Sequence, residues 1–266
     1  MFTLNLPEKI LVKLSKDPDE VSLEEEVGQK DNSNLIDRLN SLKDKFGPLF
    51  LSEIRDKDVL EVGCGEGRDT ISLACYGSPK SVTGMDIREK CIFKANLLSM
   101  EYSQLGKASF VCSDGSSMPF ANQAFDIIFT KDCMEHFPDP DAVMREMIRV
   151  LKIDGKIFIT FGPPWFHPYG SHCDYFLNVP WANLLFSERT VMSVRGRFRG
   201  DGAKKYSEVD GGLNKMTVRK FKKLIKRSDL KVTSLKIKGV KNLGVLTKIP
   251  ILNELFSSEI SCVLEK

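Results

Sequence analysis

The sequence of 266 residues contains no apolar run that approaches the roughly 20 residues needed to span a bilayer. Residues 1–16 lack the basic region and long apolar core of a secretory signal. The 7 cysteines include no C-x-x-C pair, which disfavours a structural zinc site. We therefore expect a cytoplasmic protein without a transmembrane segment, whose cysteines (such as Cys75, Cys112 and Cys262) are small buried hydrophobic residues in a reducing compartment.

The composition is that of a globular protein, but its charge is distributed unevenly. Hydrophobic residues make up 42% and charged residues 28%, and the length allows one sizeable core with an insertion. Between Arg195 and Lys248 there are 17 Lys or Arg and 4 Asp or Glu, although the net charge of the chain is only +3. This surplus suggests an anionic partner for the C-terminal third; the alternative is an ordinary solvated helix face.

The most informative segment is an apolar run that ends in glycines. Residues 58–62 are typical of a buried strand, and Gly63, Gly65 and Gly67 follow before a segment compatible with a helix, 68–76. Glycines permit positive φ and a close approach of the backbone to a ligand, and a helix start offers free N–H groups. The pattern predicts a loop that binds a nucleotide-containing cofactor.

Spacing and charge indicate which cofactor this loop binds. The dinucleotide pattern G-x-G-x-x-G would place its third glycine at position 68, where the sequence has Arg68. Glu61 lies just before the first glycine, where its carboxylate would repel a pyrophosphate and attract an ammonium group. S-adenosylmethionine carries an ammonium and a sulfonium and no phosphate, so the sequence predicts this cofactor.

Acidic residues also follow the next two predicted strands. Asp86 ends the strand predicted over 80–85, about twenty residues after the glycines, where a carboxylate can accept from both ribose hydroxyls. Asp114 follows the strand predicted over 109–112, where its carboxylate can accept from the adenine amine. Further strands are predicted over 125–130 and 156–161, with a helix over 141–151 between them. This alternation predicts a parallel sheet with right-handed crossovers.

The ordered set of segments resembles the class I S-adenosylmethionine-dependent methyltransferases, and most closely the subgroup of ubiquinone and menaquinone methyltransferases. The resemblance is carried by residues 59–67, 84–86, 114–115 with 118–120, 125–126, 135–136 with 138–139, and 151 with 155–156. It implies an α/β, three-layer Rossmann-like fold with a seven-stranded, mostly parallel sheet whose seventh strand is antiparallel. We expect an N-terminal arm and helices over 1–54, a cofactor-binding core over 55–162, a cap insertion after strand five over 163–216, and the rest of the core over 217–266.

The resemblance also implies roles for individual residues toward the cofactor. Its methionine portion is expected to contact residues that follow strands one and four, with Lys131 acting through its backbone: Glu61, Gly63, Cys64, Gly65, Gly67 and Lys131. Its ribose and adenine are expected to contact residues that follow strands two and three: Asp86, Ile87, Asp114, Gly115 and Met118.

The segment 162–216 departs from the alternation of strands and helices. Its aromatic content argues against disorder, and it leaves the carboxyl end of a strand, where open α/β sheets bind ligands. We expect a substrate cap in which Trp165, Tyr169 and Tyr175 line the acceptor pocket; the alternative is a lid that only packs on the core. The run 162–165 is similar to the Pro-Pro signature of amino-methylating enzymes, but it follows strand five and begins with glycine, which disfavours that reaction.

All three histidines, His136, His167 and His172, fall where an active site is expected. Histidine titrates near neutral pH, so each is a candidate general base; the alternative is a structural hydrogen bond. A metal site formed by the three histidines with Asp174 is disfavoured, because the spacing of His167 and His172 is not diagnostic.

We expect a methyltransferase that acts on a small-molecule, glycan or lipid-linked acceptor, at oxygen. The basic C-terminal third would then meet a phosphorylated or membrane-borne acceptor. One alternative is an RNA methyltransferase that uses this basic region, although the sequence has no separate RNA-binding module. Another is a scaffold or regulatory protein that binds the cofactor without turnover. The sequence leaves the oligomeric state open.

Overall fold

The structure is a computed structural model that describes residues 5–16, 34–102, 108–173, 175–240, 247 and 249–266. Three helices come first: α1 (Leu6–Leu14), α2 (Leu35–Phe46) and α3 (Phe50–Glu53). An alternating region follows: β1 (Asp58–Val62), α4 (Arg68–Tyr76), β2 (Ser81–Asp86), α5 (Glu89–Glu101), β3 (Ala108–Cys112), β4 (Phe125–Lys131), α6 (Pro140–Val150) and β5 (Leu151–Phe161). The remaining elements are α7 (Ala182–Leu185), α8 (Glu188–Arg195), a 3-10 turn (Tyr206–Glu208), α9 (Val218–Arg227), β6 (Lys231–Gly239), α10 (Pro250–Phe256) and β7 (Ser257–Glu265).

Seven strands form one sheet in the order β3-β2-β1-β4-β5-β7-β6. The pairs from β3 to β5 are parallel, whereas β7 runs antiparallel to β5 with Ile157 opposite Leu264. This topology confirms the predicted Rossmann-like fold, including its antiparallel seventh strand. Because the strand order reverses beside β1, the carboxyl ends of β1, β2 and β4 lie at the switch point where such sheets bind ligands.

The helices before the sheet pack on it through aromatic side chains. Leucines at helical spacing give α2 one buried face, and Gly47, with φ of +103°, ends the helix. Phe46 and Phe50 then contact each other at 4.8 Å between ring centroids. Both pack edge-on against Phe129 and Phe158 in the sheet. These contacts attach α2 and α3 to the sheet that carries the cofactor-binding residues.

Two local predictions are wrong. Strand five begins at Leu151 rather than near Lys156, because Leu151 already pairs with Phe125 ahead of an irregularity in the register. Gly155 lies in this irregularity, where a Cβ would come within 2.8 Å of the Asp126 carbonyl oxygen. Cys112 is exposed rather than buried, because β3 is an edge strand of the sheet.

The chain divides into two compact units. One comprises Ser33–Phe161, Lys222–Lys236 and Ile260–Lys266, and contains β1 to β5 and most of β6 and β7. The other comprises Gly162–Phe221, Ile237–Glu259 and the described part of Met1–Asn32. Its core includes buried side chains from α1, α8 and the segments around them: Leu11, Phe176, Leu177, Val191, Val194 and Tyr206. No helix within the described ranges combines the length and the apolar character needed to cross a membrane.

An ion-pair network joins the strand starts at the edge of the sheet opposite the glycine loop. Lys152 Nζ lies 2.9 Å from an Asp58 carboxylate oxygen and 2.8 Å from one of Asp126. The Asp58 carboxylate also accepts from Lys80 at 3.0 Å and from Ser81 at 2.8 Å. Hydrogen bonds from these lysines hold the pKa of Asp58 well below its usual range.

The Asp58 network is expected to stabilise the fold at neutral pH. A depressed carboxyl pKa contributes stability that is present above the unfolded-state pKa of about 3.9 and lost as the pH falls below it. Asp58→Asn should therefore lower the free energy of unfolding by about 2 kcal/mol at pH 7 and flatten its decline under acid conditions. Urea unfolding from neutral pH to about pH 3 measures both effects. The exposed Asp44→Asn is the control, and an equal loss in both variants would contradict a role for the network.

Candidate functional site

The glycine loop between β1 and α4 is fixed to the end of β2. The Gly63 and Cys64 N–H groups donate to the Met85 carbonyl oxygen at 2.7 and 2.9 Å. Gly63 has a φ of +81°, and a Cβ on it would lie 2.6 Å from the Cys133 Sγ. At Gly67, with φ of +77°, a Cβ would lie 2.5 Å from the Phe110 ring. Both positions thus require glycine, and the loop leads directly into the N-terminus of α4.

Asp86 lies beside this loop, as its position in the sequence predicts. Its buried carboxylate accepts from the Gly65 N–H at 2.8 Å through Oδ2, and from the Arg88 N–H at 2.9 Å through Oδ1. The guanidinium of Arg88 also approaches Oδ1, at 3.1 Å from Nε. Arg88 was not predicted as a site residue. Asp86 therefore fixes the loop and meets a half-exposed cation in this structure.

Glu61 is buried at the end of β1, within a group of charged side chains. Thr70 Oγ1 donates a short hydrogen bond to its Oε2. Asp69, the neighbour of Thr70, pairs with Lys131 Nζ at 2.7 Å and lies 3.9 Å from an Arg38 guanidinium nitrogen. Burial, and next the nearby charge of Asp69, raise the pKa of Glu61 above the usual range. A cationic ligand group bound here would favour the ionised form of Glu61, so the carboxyl group would lose its proton when the ligand binds.

Lys131 contributes its side chain to this group, whereas the sequence predicts a role for its backbone alone. Its carbonyl oxygen accepts from Cys133 Sγ at 3.2 Å, and the same thiol lies 3.3 Å from the Gly63 carbonyl oxygen. Burial raises the pKa of both Cys64 and Cys133, so these two thiols stay protonated. The segment after β4 is thereby attached to the glycine loop.

The predicted adenine-binding residues lie after β2 and β3 in the same unit. Ile87 is exposed, and its carbonyl oxygen lies 3.6 Å from the Cys112 Sγ. Asp114 is exposed as well, and its Oδ1 accepts from the N–H and the hydroxyl of Ser116 at 2.8 Å each. A Cβ on Gly115 would lie 3.3 Å from Val143. The segments after β2 and β3 therefore offer a carboxylate, an apolar side chain and backbone groups that could contact a ligand beside the glycine loop.

A clamp from α6, formed by Glu146 and Arg149, holds the segment that carries Asp114 and Gly115. Glu146 Oε2 accepts from the Met118 N–H at 2.7 Å, and Arg149 donates to the Met118 and Phe120 carbonyl oxygens at 2.9 and 2.8 Å. Arg149 also binds Glu146 at 2.7 Å. Met118 itself is buried. Sequence reasoning missed this clamp, because its partners lie about thirty residues apart and no local pattern marks them.

The clamp is expected to affect a ligand that it does not touch. Arg149→Met keeps the aliphatic stem but removes the hydrogen bonds to the loop, so the affinity for S-adenosylhomocysteine should fall by about tenfold. Isothermal titration calorimetry measures this change. Arg145→Met, an exposed cation on the same helix, is the control. Unchanged affinity in a folded Arg149→Met protein would show that the loop keeps its shape without the clamp.

The candidate histidines and aromatic residues fall in different units. His136 belongs to the unit that contains the cofactor-binding residues, where its N–H donates to the Cys133 carbonyl oxygen at 2.9 Å. His167 and His172 belong to the other unit. His167 Nδ1 accepts from the Tyr169 N–H at 3.0 Å, and His172 Nε2 lies 3.4 Å from the Pro163 carbonyl oxygen.

The three aromatic candidates also lie in that second unit. Trp165 packs edge-on against the buried Tyr206 at 4.8 Å, and Lys215 Nζ lies 5.4 Å from the centroid of the Trp165 ring. Tyr175 lies under the Arg199 guanidinium at 4.9 Å, and burial raises its pKa. Tyr169 donates from its hydroxyl to Asn178 at 3.0 Å.

Among the described residues, no group of three or more histidine, cysteine, aspartate or glutamate side chains is arranged to hold a metal ion. Asp174, the fourth member of the metal site considered from the sequence, lies outside these residues.

Comparison with known proteins identifies the domain. Residues 60–159 match the family model described as "Methyltransferase domain". The chain is 35% identical over 107 residues to the ubiquinone biosynthesis O-methyltransferase of Coxiella burnetii, covering 40% of this chain and 44% of that protein. It is 26% identical over 127 residues to the 27-O-demethylrifamycin SV methyltransferase of Amycolatopsis mediterranei, covering 48% of this chain and 46% of the relative. The chain thus spans less than half the length of these curated relatives.

Solved structures show the same fold. A S-adenosylmethionine-dependent methyltransferase from Methanosarcina mazei aligns with a TM-score of 0.55 at 19% identity, over 84% of this chain and 98% of that one. The [4+2]-cyclase SpnF aligns with a TM-score of 0.56 at 15% identity, over 86% of this chain and 80% of that one. A shared fold therefore does not decide the reaction. From the family match and the topology together, we conclude that residues 60–159 form a methyltransferase domain with the Rossmann-like fold, and this match implies S-adenosylmethionine as the cofactor.

Proposed function

We propose that this protein transfers a methyl group from S-adenosylmethionine to an oxygen atom of a small-molecule, glycan or lipid-linked acceptor. The observation that carries the proposal is the loop held between two carboxyl groups: Asp86 accepts from the Gly65 N–H, and the buried Glu61 lies at the end of β1. An ionised Asp86 and a Glu61 that ionises when a cation binds suit a cationic cofactor without phosphates and oppose a dinucleotide. The two relatives named above, one of them an O-methyltransferase by name, support the choice of a small-molecule acceptor.

Different residues near the glycine loop would bind different parts of the cofactor. Glu61 and the backbone at the three loop glycines would bind the methionine portion, together with Cys64 and the backbone of Lys131. Asp86 would accept from the ribose hydroxyls after Arg88 moves aside. Ile87 would cover the adenine face, with Asp114, Gly115 and Met118 around its amine. The clamp from α6 would keep this last group in place.

For methyl transfer, the protein needs mainly to align the acceptor with the methyl group and to exclude water. When bound, the cofactor supplies a methyl group that its positive sulfur makes electrophilic. The side chains must hold the acceptor oxygen in line with that methyl group and keep water out. An acceptor hydroxyl must also lose its proton, for which His136, His167 and His172 are the candidate bases. Trp165, Tyr169 and Tyr175 would contact the acceptor. A cytoplasmic location, consistent with the free state of all seven cysteines, completes the proposal.

Ligand titration followed by a turnover assay tests the proposal. Calorimetry should show micromolar binding of S-adenosylmethionine and S-adenosylhomocysteine and no binding of NADH. Transfer of radiolabel from methyl-labelled cofactor to phenolic, glycan and polyprenyl acceptors then measures turnover. Preference for NADH would overturn the cofactor assignment, and cofactor binding without turnover on any acceptor would favour the scaffold alternative.

RNA methylation is the second candidate, because α9 exposes a row of cations. Phe221, Leu224 and Ile225 are buried on one side of this helix. The opposite side exposes Arg219, Lys220, Lys222, Lys223, Lys226 and Arg227. Tight RNA binding that weakens steeply with salt, and that is lost in Lys222→Glu/Lys223→Glu/Lys226→Glu, would favour this candidate. The absence of such binding would leave the small-molecule proposal in place.

A further inference from the structure

The outward face of α1 is apolar, which is unusual for a surface helix. Leu6, Ile10 and Leu14 recur every four residues and are 71%, 44% and 50% exposed. Side chains at this spacing lie on one face of a helix, whereas an exposed face normally carries polar residues. We call these three residues the α1 stripe.

The exposed charges on α1 are positive. Lys9 and Lys13 are exposed and lie along one side of the α1 stripe. Within residues 5–16, the only acidic side chain is Glu8, which is buried and forms a capping box with Asn5. The exposed surface of α1 therefore combines aliphatic side chains with positive charge and presents no acid.

The buried face of α1 fixes the helix with the α1 stripe pointing outward. Leu11 is completely buried in the core of its unit, which also includes Phe176 and Val191. Just after the helix, the Lys16 N–H donates to the Phe176 carbonyl oxygen at 2.8 Å, and Ser15 forms an antiparallel bridge with Leu177. Rotating α1 to bury the stripe would expose Leu11 and break these contacts. The stripe is thus a stable feature of the surface.

We propose that the outer face of α1 binds the surface of an anionic lipid bilayer. The α1 stripe would enter the boundary between headgroups and acyl chains, while Lys9 and Lys13 meet lipid phosphates. A helix of 9 residues is far shorter than the roughly 20 needed to span a bilayer, so it lies in the plane of the interface. A second copy of this chain that docks through its own α1 face fits the surface less well, because that face would add only further positive charge. The proposal goes beyond methyl transfer and does not depend on it.

Vesicle sedimentation with the full chain tests the proposal without cofactor or acceptor. The wild type should bind vesicles that contain about 30% phosphatidylglycerol, bind pure phosphatidylcholine far more weakly, and dissociate at about 0.5 M salt. Leu6→Gln/Ile10→Gln/Leu14→Gln should lower the partition coefficient by about tenfold or more. Lys9→Glu/Lys13→Glu should weaken binding to the anionic vesicles several-fold and leave binding to pure phosphatidylcholine unchanged.

A matched control is available on α5. Phe93, Leu97 and Met100 are 64%, 48% and 70% exposed, but Lys94 beside them pairs with Glu66, and Glu89 and Glu101 begin and end this helix. Changing these three residues to glutamine should leave vesicle binding unchanged.

Four results would overturn the proposal: no binding by the wild type, undiminished binding by the α1 variant, an equal loss in the α5 variant, or self-association that the α1 variant abolishes. Lower thermal stability of the α1 variant than of the α5 variant, without a difference in vesicle binding, would show that the chain itself covers the stripe.

Discussion

Replacing Asp86 with alanine is expected to weaken the binding of S-adenosylhomocysteine by about 100-fold. The proposed contacts of this carboxylate with the ribose are two charge-assisted hydrogen bonds, and its bond to the Gly65 N–H also fixes the loop on which the rest of the cofactor lies. Titration calorimetry of the variant beside the wild type measures the loss, and thermal unfolding shows whether the variant remains folded.

Arg88→Ala is the informative companion variant. The guanidinium of Arg88 lies 3.1 Å from Asp86 Oδ1 and competes with the ribose hydroxyls for the same carboxylate. Its removal should therefore increase the affinity for S-adenosylhomocysteine. If Arg88→Ala instead weakens binding as much as Asp86→Ala, the ion pair itself is required and the proposed ribose contact is wrong.

Binding of S-adenosylhomocysteine at neutral pH is expected to release a proton from Glu61. Burial and the nearby Asp69 raise the pKa of Glu61 in the free protein, and the ligand ammonium would favour its ionised form. The affinity for S-adenosylhomocysteine should therefore increase as the pH rises through the raised pKa of Glu61, because less free energy is then needed to ionise the carboxyl group. Calorimetry in two buffers with different ionisation enthalpies counts the protons released.

Glu61→Gln should abolish this proton release. It should also lower the affinity for S-adenosylhomocysteine by about 30-fold, because the neutral amide cannot form an ion pair with an ammonium group. Methylthioadenosine shares the nucleoside but lacks the amino acid portion, so it should bind both proteins equally and release no proton from Glu61. Identical proton release by the two ligands would show that the ammonium does not reach Glu61.

The fold could be predicted because its signals are local. The apolar run before Gly63, the positive φ that Gly63 and Gly67 adopt, and the acidic residue that ends β2 each depend on a few neighbouring residues. The parallel direction of the first five strands then followed from the alternation of strands and helices. The boundary of β5 could not be predicted in this way, because the pairing of Leu151 with Phe125 depends on a residue 26 positions away.

The contacts within the site were mostly hidden from sequence reasoning. The bonds from Lys131 to Asp69 and from Arg149 to the Met118 carbonyl oxygen join residues 62 and 31 positions apart. The sequence has 39 Lys and Arg residues, and no local pattern assigns one of them to Asp69 or to the Met118 carbonyl oxygen. The histidine roles and the aromatic acceptor contacts stay predictions for the same reason.

The sequence by itself determined the cofactor class and the parallel direction of the first five strands. The cofactor class follows from residue type at fixed spacing, since glycine fits the loop at Gly63 and Gly67 and an acid lies near the end of both β1 and β2. The parallel direction follows from the alternation of strands and helices. The tertiary structure decided which charges are available to a ligand: it buried Glu61, placed Arg88 against Asp86 and exposed the α1 stripe. Desolvation and charge pairing depend on which surfaces meet after folding, and local sequence does not specify that.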